Sequence, residues 1–130
     1  MPFMYEKSLL LERLEVLLVA LERIPRRFLG IKTANDFLNS DDGLDKLDAI
    51  CMILVATGEA FKQIDRKTNG EFLNRYPQID WKGVKGVRDV VAHGYFDIDV
   101  EQVFTICHTD IPLLIKVVQE MIDTIKKSSR

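Results

Sequence analysis

Apolar residues recur along this chain at the three- and four-residue spacing of an α-helix rather than in the alternating pattern of a strand. Few residues interrupt the pattern, because only 7 glycines and 4 prolines occur among 130 residues. Repeats and low-complexity segments are absent from the sequence. We therefore predict an all-α chain, folded as an antiparallel bundle of four main helices.

Capping residues and breakers divide the chain into four main helices. The predicted spans are, in order, Glu6–Phe28, Asp41–Lys67, Trp81–His93 and Asp99–Lys127. Ser40 or Asp41 can cap the second helix and Asp80 the third, and Gly94 suits the position just past the third. Pro25 should kink or end the first helix, and Pro112 should bend the fourth. Short helical turns are expected in TANDFLNS and GEFLNRYP.

Length, charge and cysteine content narrow the class of protein. A chain of 130 residues predicts one domain, residues 1–130, and a net charge of −2 argues against broad coating of nucleic acid. Cys51 and Cys107 lie in apolar runs, which favours buried thiols in a reducing compartment. The longest uninterrupted apolar run, Ala49–Ala56, is far below the roughly 20 residues of a membrane span. We expect a cytoplasmic protein with no membrane partner.

The first two helices are more apolar than a single buried stripe requires. The second is apolar around most of its circumference between Ala49 and Ala56, and the first carries apolar residues on several faces. Either these helices are central to a tightly packed monomer, or they have a second apolar partner. Because not every helix of so small a bundle can be central, we predict a homodimer.

The segment RDVVAHGYF places Arg88, His93 and Tyr95 at the end of the third helix. The expected core face of that helix is Val84, Val87 and Val91. Residues five apart in a helix are rotated by about 140°, so Arg88 and His93 are not stacked neighbours. The long arginine side chain can nevertheless reach toward the helix end, where the negative pole favours protonated histidine.

These residue types suit RNA cleavage without a metal. A histidine can take the proton from a ribose 2′-OH or protonate the leaving 5′ oxygen, while an arginine stabilises charge on the phosphate. One chain supplies only one motif histidine, and a dimer would supply two. Alternatively, His93 only caps the helix and Arg88 pairs with Asp89, Asp97 or Asp99 on the surface.

Other polar residues allow two interpretations each. Lys82, Lys85 and Arg88 form a basic stripe on the third helix, which is either an RNA-facing patch or a solvated face. Gly58 and Glu59 are interpreted as close helix packing and a polar contact rather than as catalytic residues. The sequence contains neither metal-ligand spacing nor a phosphate-binding glycine loop, so no metal or cofactor is expected.

The segment RDVVAHGYF resembles the Arg-x4-His-x-Tyr motif of HepT-type toxins, a branch of the HEPN superfamily. The similarity covers nearly the whole chain and includes the family phrases GEA, YPQIDW and DIPLL in order. It implies a dimerising all-α bundle of four to five helices whose active cleft, at the dimer interface, contains Arg88 and His93 from both chains. It also implies a minimal nucleotidyltransferase as antitoxin, and some such enzymes attach AMP to the motif tyrosine, here Tyr95.

One position departs from the family pattern, which most often has Asn directly after the arginine. This chain has Asp89 there, and a carboxylate beside a phosphate site repels substrate unless it supports Arg88 or His93. Two functions follow as expectations. The first is a toxin that cleaves RNA as a dimer. The second is a non-catalytic partner of a nucleotidyltransferase, with the motif as docking and modification site.

Overall fold

Helices form where apolar residues recur at helical spacing, and side-chain caps at Ser40, Asp80 and Asp99 start three of them. The computed structural model describes residues 6–91 and 97–128. Its α-helices are α1 (Lys7–Phe28), α2 (Asp41–Lys67), α3 (Glu71–Asn74), α4 (Trp81–Lys85), α5 (Val87–Val91), α6 (Val100–Thr105) and α7 (Ile111–Ser128). A 3₁₀ turn, Ala34–Phe37, precedes α2, and a π-helical turn, Ile106–Asp110, joins α6 to α7. Within these described ranges no strand occurs, so the all-α prediction is confirmed.

The three long helices pack side by side, with α1 against both α2 and α7. Lys7 Nζ at the start of α1 donates a hydrogen bond to the Ser128 carbonyl at the end of α7, over 3.0 Å. Lys46 Nζ near the start of α2 donates to the Leu29 carbonyl just after α1, over 2.9 Å. Each contact joins the beginning of one helix to the end of another, so both pairs run antiparallel as predicted.

One hydrophobic core cluster joins the long helices to the short ones. Its most deeply buried members include Leu14 and Leu21 of α1, Phe61 of α2, Phe72 of α3 and Met121 of α7. Each such side chain contributes roughly 1.5–3 kcal/mol when it is fully removed from water. The core therefore fixes α1, α2 and α7 as the frame on which the shorter helices are placed.

The predicted bounds of the first two helices are confirmed within a residue. Ser40 caps α2 by accepting a hydrogen bond from the Gly43 amide at 3.0 Å. Pro25 lies inside α1, which continues to Phe28 and does not end at the proline. The predicted turns around TANDFLNS and GEFLNRYP are also present, as the 3₁₀ turn and α3.

The prediction of one continuous third helix is wrong within the described residues. The helix is divided at Gly86 into α4 and α5, although Asp80 caps its start as expected by accepting from the Gly83 amide. Glycine is the weakest helix former apart from proline, and both Gly83 and Gly86 fall inside this short segment. The end of the predicted helix, with His93 and Gly94, lies outside the described residues.

The fourth predicted helix is also interrupted, but by a change of helix type rather than a simple bend. Five residues, Ile106–Asp110, form a π-helical turn immediately before the helix that contains Pro112. Proline removes one backbone donor, and its ring clashes with the carbonyl four residues earlier, here that of His108. The wider π turn relieves this conflict, so the helix continues through the proline.

Both cysteines are buried and free, as predicted. Burial raises the pKa of Cys51 to about 11 and that of Cys107 to about 12. The two thiols therefore stay neutral at physiological pH and pack as small apolar side chains. Among the described helices, none has the length and apolar character needed to cross a membrane.

Candidate active site

The position of α4 and α5 is set by a close approach to α2 at Gly58. A Cβ atom at this residue would lie only 3.0 Å from both the Val84 carbonyl oxygen and Val87 Cγ1. Glycine therefore lets the backbone of α4 and α5 rest directly on α2. This confirms the interpretation of Gly58 as a packing glycine, and it fixes the helix that carries Arg88.

An aromatic contact anchors the start of the same segment. The ring of Trp81 packs on Phe61 of α2 with centroids 5.0 Å apart, and its indole nitrogen donates to the Tyr76 carbonyl at 2.9 Å. At the other end, Val87 and Val91 of α5 are buried in the core. The apolar side of the segment thus faces the core, and Arg88 lies at the edge of that side, within reach of α2.

Arg88 forms an ion pair with Glu59 of α2, with Nη1 and Oε1 3.6 Å apart. The same Oε1 lies 3.6 Å from Nζ of Lys62, one helical turn further along α2. The Arg88 side chain is 57% exposed, so part of the guanidinium remains open to solvent. The ion pair involves a different helix from the three carboxylates suggested by the sequence, and it leaves Arg88 accessible to an anion.

The basic stripe predicted on the third helix is only partly available. Lys85 forms a hydrogen-bonded ion pair with Asp65 of α2 at 2.7 Å, which neutralises much of its charge. Lys82 and Asp89 are exposed. Of the two lysines considered for RNA contact, Lys82 is the one that presents its charge to solvent.

His93 and Tyr95, the other two motif residues, lie outside the described residues. Their predicted roles therefore remain predictions. The described part of α5 ends at Val91, two residues before His93 in the sequence.

Glu59 is the site residue whose importance the sequence interpretation underestimated. It was expected to make a polar contact, and its observed contact is with the motif arginine itself. The available signal was its position directly after Gly58, since a helix that approaches closely at one residue brings its neighbour into reach of the same partner. Among the described residues, no group of three or more histidine, cysteine or acidic side chains is placed to hold a metal ion.

A strip of apolar side chains, exposed or half-buried, runs along α1 and α2 and reaches Glu59. The apolar strip consists of Val16, Val19 and Ala20 on α1 and Met52, Ala56 and Ala60 on α2. Val16, Val19 and Met52 are 64%, 57% and 73% exposed. Met52, Ala56 and Glu59 are spaced by four and three residues, so they share one face of α2. The Glu59–Arg88 pair therefore borders the strip.

An all-α bundle with a solvent-accessible arginine, five residues before a histidine in the sequence, agrees with the resemblance to HepT-type proteins. The sequence matches the family described as HepT-like, "Ribonuclease HepT-like", over residues 17–121. The chain belongs to this family, within the HEPN superfamily.

Three relatives illustrate the similarity. "Putative RNase MJ0127" of Methanocaldococcus jannaschii is 36% identical over 78 residues, which are 60% of this chain and 61% of that protein. "Putative RNase MJ1380" of the same organism is 28% identical over 98 residues, covering 68% of this chain and 86% of that protein. "Probable ribonuclease HepT" of Thermococcus cleftensis is 33% identical over 66 residues, with shares of 51% and 56%. The chain thus spans 61% of the length of the first of these relatives. No solved structure matches the chain.

Proposed function

We propose that the protein is an endoribonuclease in which Arg88 and His93 act on the phosphate that is cleaved. The observation that carries the proposal is the placement of Arg88 on α5, fixed from behind by α2 and open to solvent at its guanidinium. Membership of the HepT-like ribonuclease family supports the same activity. A guanidinium can hold two phosphate oxygens at once and stabilise the charge that develops on them.

The chemistry is an intramolecular displacement that needs no metal-bound water. The ribose 2′ oxygen forms a bond to phosphorus while the bond from phosphorus to the 5′ oxygen breaks. One histidine removes the 2′-OH proton and another protonates the leaving 5′ oxygen. The products are a 2′,3′-cyclic phosphate and a free 5′-OH, and Tyr95 contacts phosphate without driving proton transfer, since a phenol has a pKa of about 10.

A homodimer through the apolar strip would supply the second histidine. Val16 and Val19 lie one turn apart on α1, and Met52 lies one turn before Ala56 on α2; large exposed apolar side chains grouped in this way are unusual on a small monomer. The strip ends at Glu59 and Arg88, so a second copy on this face would bring the two Arg88 sites toward one seam. We infer that this seam is the catalytic cleft.

The dimer is tested by charging the strip. Val16→Glu and Met52→Glu should convert a dimer into a 15.0 kDa monomer in sedimentation equilibrium and should abolish most cleavage. Leu38→Glu is the matched control, because this leucine is also exposed but lies outside the strip. A wild-type protein that sediments as one chain at every micromolar concentration would contradict the dimer and the two-histidine mechanism.

Cleavage is tested with a short fluorescent RNA in EDTA. Arg88→Ala and His93→Ala should each lower the rate by roughly 10²-fold or more. Lys116→Ala, which removes one exposed charge from α7, should leave the rate unchanged. A single 2′-deoxy nucleotide at the cleaved position should block the reaction. Strict magnesium dependence, or full activity in both motif variants, would refute the assignment.

We further propose that the protein is the toxin of a toxin–antitoxin pair in the cytoplasm, silenced by a minimal nucleotidyltransferase that attaches AMP to Tyr95. The added phosphate would pair with the nearby Arg88 and the added nucleoside would fill the cleft. Intact mass after incubation with that enzyme and ATP should increase by one AMP in the wild type and stay unchanged in Tyr95→Phe. If wild-type expression is no more toxic than His93→Ala, the motif serves as a docking and modification site on a non-catalytic partner.

A further inference from the structure

Arg88 needs help to act as a preorganised phosphate ligand. It lies on α5, a helix of five residues, and its long side chain is more than half exposed. An exposed arginine samples many rotamers, and each rotamer places the guanidinium several ångströms from the others. Electrostatic catalysis depends on a charge that is already in place when the reaction begins.

Glu59 has the fixed position that Arg88 lacks. It lies in the interior of α2, a helix of 27 residues, directly beside the glycine on which α4 and α5 rest. Its Oε1 is covered even though 46% of the side chain is exposed. Two cations, Lys62 and Arg88, each lie 3.6 Å from this oxygen. Lys62 therefore holds the carboxylate from its own helix while the carboxylate attracts Arg88.

The contact with Glu59 can orient Arg88 and still leave N–H donors of its guanidinium free for phosphate. At 3.6 Å the ion pair is longer than a charge-assisted hydrogen bond, and in the described chain Oε1 makes no hydrogen bond. The guanidinium has five N–H donors, so it can be attracted by Glu59 on one edge and still offer two donors to a phosphate. A carboxylate this close to the phosphate also repels RNA.

We propose that Glu59 is a positioning residue, which holds the Arg88 guanidinium in the orientation that phosphate binding requires; this rests on the proposed ribonuclease function. The role makes a specific kinetic prediction, because orientation and repulsion act on different constants. Loss of Glu59 lowers kcat, since Arg88 is no longer held. The same loss leaves KM unchanged or lower, since one negative charge is removed from the RNA-binding face.

The test compares steady-state cleavage of one short RNA by matched variants at fixed ionic strength. Glu59→Ala should lower kcat by about 10-fold, the scale of a modest misplacement of a catalytic group, without raising KM. Glu59→Gln should lose less, because the dipole of its amide oxygen still attracts the Arg88 guanidinium, though more weakly than a full negative charge. Asp65→Asn is the control: it removes a carboxylate of the same helix that pairs with Lys85 instead, and kcat should stay within about twofold.

A double variant separates positioning from direct participation. In an Arg88→Lys background, where the held guanidinium is gone, Glu59→Ala should cost less than about twofold, because residues that act through one another are not additive. An equal loss of kcat in both backgrounds would overturn the proposal, as would an effect on KM alone or an equal loss in Asp65→Asn. An inactive wild type, or full activity in Arg88→Lys and Arg88→Ala, would instead refute the ribonuclease function itself.

Discussion

The long helices α1 and α2 and the short helices α4 and α5 are held in place by different means. Five residues of α1 are buried, among them Leu14 and Leu21, whereas α4 has no buried residue and α5 has two. The long helices are stabilised along their whole length by their own apolar faces. The short ones bury few side chains of their own and are positioned largely by contacts with α2, among them those at Gly58 and Phe61. Stability therefore resides mainly in one region of the molecule, and the candidate active site in another.

The strongest test of this separation is to destabilise the core and to measure the rate of RNA cleavage at the candidate site. Leu21 is fully buried in α1, so Leu21→Ala should lower the free energy of unfolding by about 2–5 kcal/mol through lost burial and a residual cavity. At a temperature where the variant remains folded, kcat for RNA should stay within about twofold. Urea titration measures the first quantity, with Glu22→Ala on the exposed face of α1 as the control. A large fall in kcat would show that the two regions are not independent.

The converse change alters the site while sparing the core. Gly58→Ala introduces a Cβ 3.0 Å from the Val84 carbonyl and Val87 Cγ1, so α4 and α5 must move by a few tenths of an ångström. We expect about a 10-fold lower cleavage rate from the displaced Arg88. Stability should change little, because alanine favours the helix by up to about 1 kcal/mol and offsets the crowding. The loss should be smaller than additive when Val87→Ala is combined with it.

A smaller effect is expected at the cap of α2. Ser40→Ala removes the hydroxyl that accepts from the Gly43 amide, and should cost about 1 kcal/mol of folding stability. Because the cap lies far along α2 from Glu59, the cleavage rate of the folded protein should not change. Chemical denaturation measures the loss, and Asn39→Ala, one residue before the cap, is the matched control. If Ser40→Ala kept its stability but lost cleavage activity, the separation between the stabilising helices and the candidate active site would be contradicted.

The smallest effect concerns the two buried thiols and depends on pH. Their raised pKa values, about 11 for Cys51 and about 12 for Cys107, mean that the folded state keeps both neutral after unfolded thiols ionise near pH 9. Their contribution to stability is complete below pH 9 and is lost as the pH rises toward 11 and 12. Unfolding midpoints from pH 7.5 to 10 should fall less steeply in a variant with both cysteines replaced by alanine. An identical slope would show that the thiols are not buried as described.

Sequence patterns predicted the long helices well because their signals are redundant. In α2, a cap at Ser40, acidic residues in the first turn and a long apolar run all indicate the same helix. The division at Gly86 and the π turn before Pro112 were missed. At each position a residue that disfavours a regular α-helix lies within a helical apolar pattern, and packing decides how the helix responds. The exposed arginine of the motif was predicted, but its partner was sought among carboxylates near it in sequence. Glu59 lies 29 residues earlier, and only the contact between α2 and α5 brings the two together.

The π turn at Ile106–Asp110 also fixes how far α6 is rotated about its axis relative to α7. A π turn is equivalent to an α-helix with one inserted residue, and one residue corresponds to about 100° of rotation. Deleting Thr109 would restore a regular helix but rotate everything before it by that angle relative to α7. Val103, which is fully buried in α6, would then point away from the core. The extra residue keeps the apolar faces of α6 and α7 turned toward the same core. Related chains should therefore differ in residue type within this turn more often than in its number of residues.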